Sequence, residues 1–136
     1  MSFIDFLTWL LNFLRRRKKP PSPAVITQVV LNKKGTNMAT STLTWTVPTT
    51  RTDGTPLTAL EIDHQDVFDS GNMIGTVQGA ANTFTTGVLT TGIHNFTVTV
   101  TDTTGHTSAP SNTATVTVPV TLQPPSAIMD LQAVLN

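Results

Sequence analysis

No cysteine occurs among the 136 residues, which excludes both a disulfide framework and a thiolate metal site. Stability has to come from packing. Net charge is also absent, but only formally: residues 1–19 hold five of the eight cations and a single acid, Asp5, leaving three cations against seven acids in the rest. A basic arm of about +4 is thus joined to a body of about −4, and the body gives no reason to expect nucleic acid. Long apolar runs are missing too. The apolar stretch at residues 3–14 would make a helix of roughly 18 Å, well short of the ~30 Å hydrocarbon core of a bilayer, which argues against a conventional membrane span.

The same stretch is nevertheless the most distinctive part of the chain. In "FIDFLTWLLNFLRRRKK", residues 3–19, nine of the first twelve residues are apolar and five consecutive cations follow. On a helical wheel Asp5, Thr8, Asn12 and Arg16 form a narrow polar stripe. Phe3, Ile4, Phe6, Leu7, Leu10, Leu11, Phe13 and Leu14 cover the rest, with Trp9 at the border. Ser2 is placed as an N-cap, Asp5 favours the positive helix start, and Arg15, Arg16, Arg17, Lys18 and Lys19 favour its end. The cations follow the apolar run instead of preceding it and no small-residue cleavage site comes after, so the pattern does not match a cleavable signal peptide. Two uses stay open: an interfacial anchor with the cations against anionic lipid, or a peg in a hydrophobic groove of a protein partner. Pro20, Pro21 and Pro23 read as a stiff spacer between this helix and the body.

From residue 24 the pattern changes to period two, in "STLTWTV" (41–47), "LTALEIDHQDV" (57–67), "HNFTVTVTD" (94–102) and "NTATVTV" (112–118). These are expected to be half-buried antiparallel strands, separated by turns at Asp53-Gly54, Ser70-Gly71-Asn72, Thr91-Gly92 and Thr104-Gly105. Leu43 and Trp45 should meet Phe96, Val98 and Val100 across a core completed by Leu60, Ile62, Phe84, Leu89, Val116 and Val118. "GNMIGTVQGAAN" (71–82) reads as a flexible connection between sheets, able at most to offer a weak recognition surface.

Chemistry-bearing residues are few. Glu61, Asp63, His64, Asp66 and Asp69 form one acidic cluster, but strand alternation sends Glu61, Asp63 and Gln65 to one face and Ile62, His64 and Asp66 to the other, so no ligand set converges. His64, His94 and His106 belong to no triad or nucleophile-elbow pattern. Gly75, Gly79 and Gly87 precede no helix and make no phosphate loop. No enzymatic activity, cofactor or metal is expected.

Leu43-Thr-Trp45, "TFTTGVLTTG" (83–92) and "FTVTVTDTTGHTSAPSNTATVTV" (96–118) together resemble the fibronectin type III and bacterial Ig-like modules, over residues 21–119. The chain departs from that family in having no tyrosine: Ile93, His94 and Asn95 stand where its tyrosine corner falls. The resemblance implies an all-β, antiparallel sandwich used as a rigid spacer, display or adhesion module, with function on loops and edges. The expected organisation is an anchor helix at 1–19, a linker at 20–23, the sandwich at 24–119 and a tail at 120–136. Such modules are used outside cells; assembly into a bacteriophage virion, released by lysis, reconciles that use with the lack of a cleavable export signal. The leading expectation is therefore a minor virion protein, membrane-associated or bound to a capsid or tail partner. Alternatives are an adhesion or carbohydrate-binding module on a bacterial membrane, and a membrane-active entry or lysis protein.

Finally, "PPSPAVITQVVLN" (20–32) and "PPSAIMDLQAVLN" (124–136) align without a gap. The second copy reads either as an unpaired opening strand serving self-association or as a short helix. In the first case Ile128, Met129, Leu131, Val134 and Leu135 would carry assembly.

Overall fold

A computed structural model describes residues 2–33, 39–120 and Gln132, and for residues 11–17, 32 and 33 the backbone alone. The chain forms one helix, α1 (Phe3–Arg17), and seven strands: β1 (Val25–Lys33), β2 (Ala39–Thr46), β3 (Ile62–Asp69), β4 (Asn72–Gln78), β5 (Thr83–Thr85), β6 (Gly92–Asp102) and β7 (Ala114–Val118). They make two antiparallel sheets, ordered β1-β2-β5 and β4-β3-β6-β7. This is a β-sandwich of the fibronectin type III kind.

Alternation does its expected work in the strands that face both solvent and core. Ser41, Leu43 and Trp45 of β2 are buried, as are Phe96, Val98 and Val100 of β6, and the two sets meet between the sheets. Burying the apolar ones among them contributes about 1.5–3 kcal/mol each. Ile62, Leu89 and Val118 are buried with them, and Phe84 and Val116 pack at the margin. Leu60 does not join them. The stretch 57–61 is a loop closed by a single 3-10 turn, Ala59–Glu61, and Leu60 at its tip is 92% exposed; Leu57 fills the core instead.

Two further expectations are corrected. Residues 72–78 are not a flexible connection but strand β4, joined to β3 by the two-residue turn Ser70-Gly71. Such a tight hairpin requires positive φ at both central residues, and Ser70 (49°) and Gly71 (84°) supply it. In β3 the pairing with β6 is irregular between Ile62 and His64, which inverts the alternation. Gln65 therefore points inward beside Ile62 and Val67, all three buried.

Gln65 brings polarity into the core without a cost in unmade hydrogen bonds. Its Oε1 accepts from Trp45 Nε1 at 2.7 Å, and its Nε2 donates to the carbonyls of Gly79 (2.8 Å) and Ala81 (2.7 Å). The indole is thereby tied to the β4–β5 connection across the sandwich. Hydroxyl groups complete the β6 ladder where β7 has not yet begun: Ser108 Oγ and Ser111 Oγ each accept from a backbone N–H, of Val100 and Val98, at 3.0 Å. The abundance of Ser and Thr is thus partly structural.

The strands also define two ends. Residues 47–61 and 103–107 lie at the end where Pro21, Ile62 and Asp102 meet, and Asp69, Gly92 and Val118 lie at the other. The eleven residues of β6 run between them, a span of roughly 35 Å at strand rise.

Candidate attachment site

α1 is built as its local signals direct. Ser2 Oγ accepts from the Asp5 N–H at 3.1 Å and donates to Asp5 Oδ2 at 2.7 Å, while the Ser2 N–H donates to the same carboxylate at 3.1 Å. This reciprocal cap satisfies donors that a helix start leaves open. The Ser2 hydrogen bonds also hold the Asp5 carboxyl below its ordinary range. Phe3 and Ile4 are three-quarters exposed, and Phe6, Leu7 and Trp9 about half exposed; the rings of Phe6 and Trp9 stack with centroids 6.1 Å apart. Leu10 is half-buried. The side chains of Leu11, Phe13, Leu14 and Arg15–Arg17 lie outside the described residues, though their backbone continues the helix. No described helix is long and apolar enough to cross a membrane.

The helix root is not a free spacer. Lys18 Nζ reaches Glu61 Oε1 at 2.6 Å. The Lys19 carbonyl accepts from Arg51 Nη1 at 3.1 Å, the Pro20 carbonyl accepts from the Thr52 N–H at 3.1 Å, and Ser22 N–H donates to the Thr50 carbonyl at 3.1 Å. Pro21 is fully buried and bridges Arg51. Proline tolerates this edge position because no ladder donor is required of it.

Arg51 organises the root and was not foreseen from the sequence. It is 3% exposed and pairs with Asp102, whose side chain is fully buried, and with Glu61 at 3.3 Å. Burial alone would raise the Asp102 pKa, but hydrogen bonds from Thr104, the His106 N–H and Arg51 hold the carboxyl far below the usual carboxylate range. Glu61 is lowered to about 2, first by Lys18 and then by the Thr58 N–H. Burial disfavours the Arg51 charge, yet Asp102 and Glu61 outweigh it and raise its pKa. The available signal was slight: a lone Arg in a turn-rich loop and an Asp opening "DTTG".

The acidic cluster is dispersed. Glu61 belongs to the root, Asp63 Oδ2 lies 2.7 Å from His64 Nδ1, Asp66 Oδ1 accepts from Thr76 Oγ1 at 2.7 Å, and Asp69 sits at the opposite end of β3. Among the described residues no group of three or more potential ligands could hold a metal ion. His94 makes a separate contact at that opposite end, with Nδ1 2.6 Å from Asp69 Oδ2 and Nε2 2.9 Å from the Thr90 carbonyl. Since both partners are acceptors, both nitrogens must donate, which is the imidazolium form. Asp69 first and Thr90 second raise the His94 pKa accordingly. The proposed assembly residues Ile128, Met129, Leu131, Val134 and Leu135 lie outside the described residues.

No family model and no curated protein matches the chain. Among solved structures, it is similar to the fibronectin(III)-like modules of Clostridium thermocellum CbhA, at 18% identity and TM-score 0.48, over 68% of this chain and 97% of that one. It is also similar to the fibronectin type III domain of human fibronectin type III domain containing protein 3, at 22% identity and TM-score 0.47, over 74% and 88%. A third similar structure is the Clostridium perfringens spore cortex lytic enzyme SleM, at 19% identity and TM-score 0.49, over 73% of this chain. The chain spans only 29% of that enzyme's length.

Proposed function

We propose that this is a non-enzymatic structural protein in which the N-terminal helix attaches a fibronectin-type module to a surface, and that it serves as a minor component of a bacteriophage virion. The observation that carries the attachment is the exposure of Phe3, Ile4, Phe6, Leu7 and Trp9 on a capped helix, beside a sandwich that already buries a complete core of its own. Apolar side chains in that number on one short helix call for a lipid interface or a protein groove. The run of cations from Arg15 to Lys19 favours the lipid interface, because anionic headgroups attract each charge near the surface.

The virion assignment is supported by a low-charge, Thr-rich sandwich similar in composition to display modules of phage particles. Its partners would be a membrane surface or a capsid or tail protein, with self-association in assembly.

Vesicle sedimentation tests the attachment. The full chain and a 1–19 peptide should both bind vesicles containing phosphatidylglycerol, the peptide becoming helical, and salt should release part of each. Absence of binding by both would overturn the lipid reading and leave the protein groove. The genes flanking this one test the rest: capsid or tail genes support the virion role, and adhesion or polysaccharide-degrading genes overturn it.

A further inference from the structure

Resting on the lipid reading above, we infer that the sandwich does not hang free of the bilayer but sets its own root end on the same anionic surface, with Leu60 as a second insertion point. Three observations converge on that end. The first is rigidity: Lys18, Lys19 and Pro20 are bonded to Glu61, Arg51 and Thr52, so a helix lying on a surface brings the 58–61 turn close to it.

The second is Leu60 itself. It is the most exposed large apolar side chain among the described residues at 92%, and it is presented on a braced turn, since Glu61 Oε2 accepts from both the Thr58 N–H (3.0 Å) and Thr58 Oγ1 (3.1 Å). An exposed leucine alone is ordinary. Leu60 differs in being held by a braced turn whose Glu61 binds Lys18, at the root of a cationic, apolar helix.

The third is charge. An acidic end would be repelled by anionic lipid, but three of the acids here are matched: Asp102 and Glu61 face Arg51, Glu61 also binds Lys18, and Lys19 lies close enough to Asp53 to help lower its pKa, behind the larger effect of the Thr55 hydrogen bonds. Lys18 and Lys19 thus offset the root's own acids, and the three further cations of the sequence, Arg15, Arg16 and Arg17, remain for anionic lipid.

The lack of cysteine allows a direct test. Leu60→Cys and, at the opposite end, the exposed Thr117→Cys are labelled separately with an environment-sensitive fluorophore on the full chain. Each is mixed with vesicles of equal parts phosphatidylcholine and phosphatidylglycerol. The label at 60 should shift to the blue and be quenched by spin-labelled lipid, while that at 117 stays unchanged. In unlabelled protein Leu60→Ser should weaken partitioning about fivefold, with unfolding unaffected. If the chain binds but the label at 60 reports only water, the inference falls and the helix anchor stands. If neither the chain nor the 1–19 peptide binds, both fall.

Discussion

Arg51 and Asp102 illustrate how a single pair sets the character of a whole end of the molecule. Both side chains are buried, so each is desolvated and depends on the other; removing one leaves an uncompensated charge. Asp102→Ala should therefore lower unfolding stability by about 3–5 kcal/mol, whereas Arg51→Met combined with Asp102→Leu should cost much less. Urea melts of the two variants beside the unaltered chain measure both, and a single mutant as stable as the double would show that the pair is not buried in solution. Trp45 makes a different kind of demand. Trp45→Ala should cost about 3–5 kcal/mol through the cavity. Trp45→Phe keeps most of the packing but strands the Gln65 carbonyl, and should cost about 1–3 kcal/mol.

Among elements, α1 and its root behave differently despite being contiguous. The exposed turns of α1 rest on local caps, while residues 18–22 are bonded to the 50–61 loop. Deleting residues 1–17 should leave the thermal midpoint nearly unchanged, and deleting 1–23 should lower it clearly, because Pro21 and the Lys19 carbonyl go with it; scanning calorimetry separates the two. Equal midpoints would mean that the root contributes nothing to the fold. At the far end, His94 joins β6 to the end of β3 and to Thr90. Its pKa is raised above 6.5 in the folded state, so its stabilisation is complete below the unfolded value and is lost as pH rises through the folded one. Melts from mildly acidic to alkaline pH should show that loss, and His94→Gln should flatten it. Glu61 acts at the opposite limit: lowered to about 2 from 4.5, it contributes above its unfolded value and ceases to as pH falls through the folded one.

For the molecule as a whole, the anchor root and the end of β7 lie at opposite ends of the sandwich. On the attachment proposed above, a surface held by α1 leaves the Asp69–Gly92 end facing outward. The C-terminal echo is constrained by the same geometry. Laid in the seat of residues 20–32, it would put Asp130 where Ile26 is 7% exposed and Ile128 where Ala24 is 1% exposed. An unpaired carboxylate in a core site is strongly disfavoured, so exchange of this segment for β1 in a neighbouring copy does not fit, and an assembly role would have to use another edge. Deleting 124–136 should lower self-association or incorporation into particles without changing the thermal midpoint, as light scattering and calorimetry would report. Unchanged mass and incorporation would reduce the echo to a relic.

The sequence by itself determined whatever depends on near neighbours. Ser2 and Asp5 cap a helix three residues apart, Ser70-Gly71-Asn72 marks a turn, and alternation in 41–45 and 96–100 sorts inside from outside because the pleat has period two. Only the tertiary structure decided the features whose cause is distant or depends on a defect in that period. The irregular pairing at Ile62–His64 turns Gln65 inward, and no count along 57–67 could anticipate it, because the partner strand imposes it. Residues 72–78 alternate too weakly to read as a strand, and become one when β3 offers its edge. Arg51 finds Asp102 across 51 residues, and two of the prolines expected to form a free spacer, Pro20 and Pro21, are seated on Thr52 and Arg51 instead, since burial and hydrogen bonding depend on what folding brings alongside.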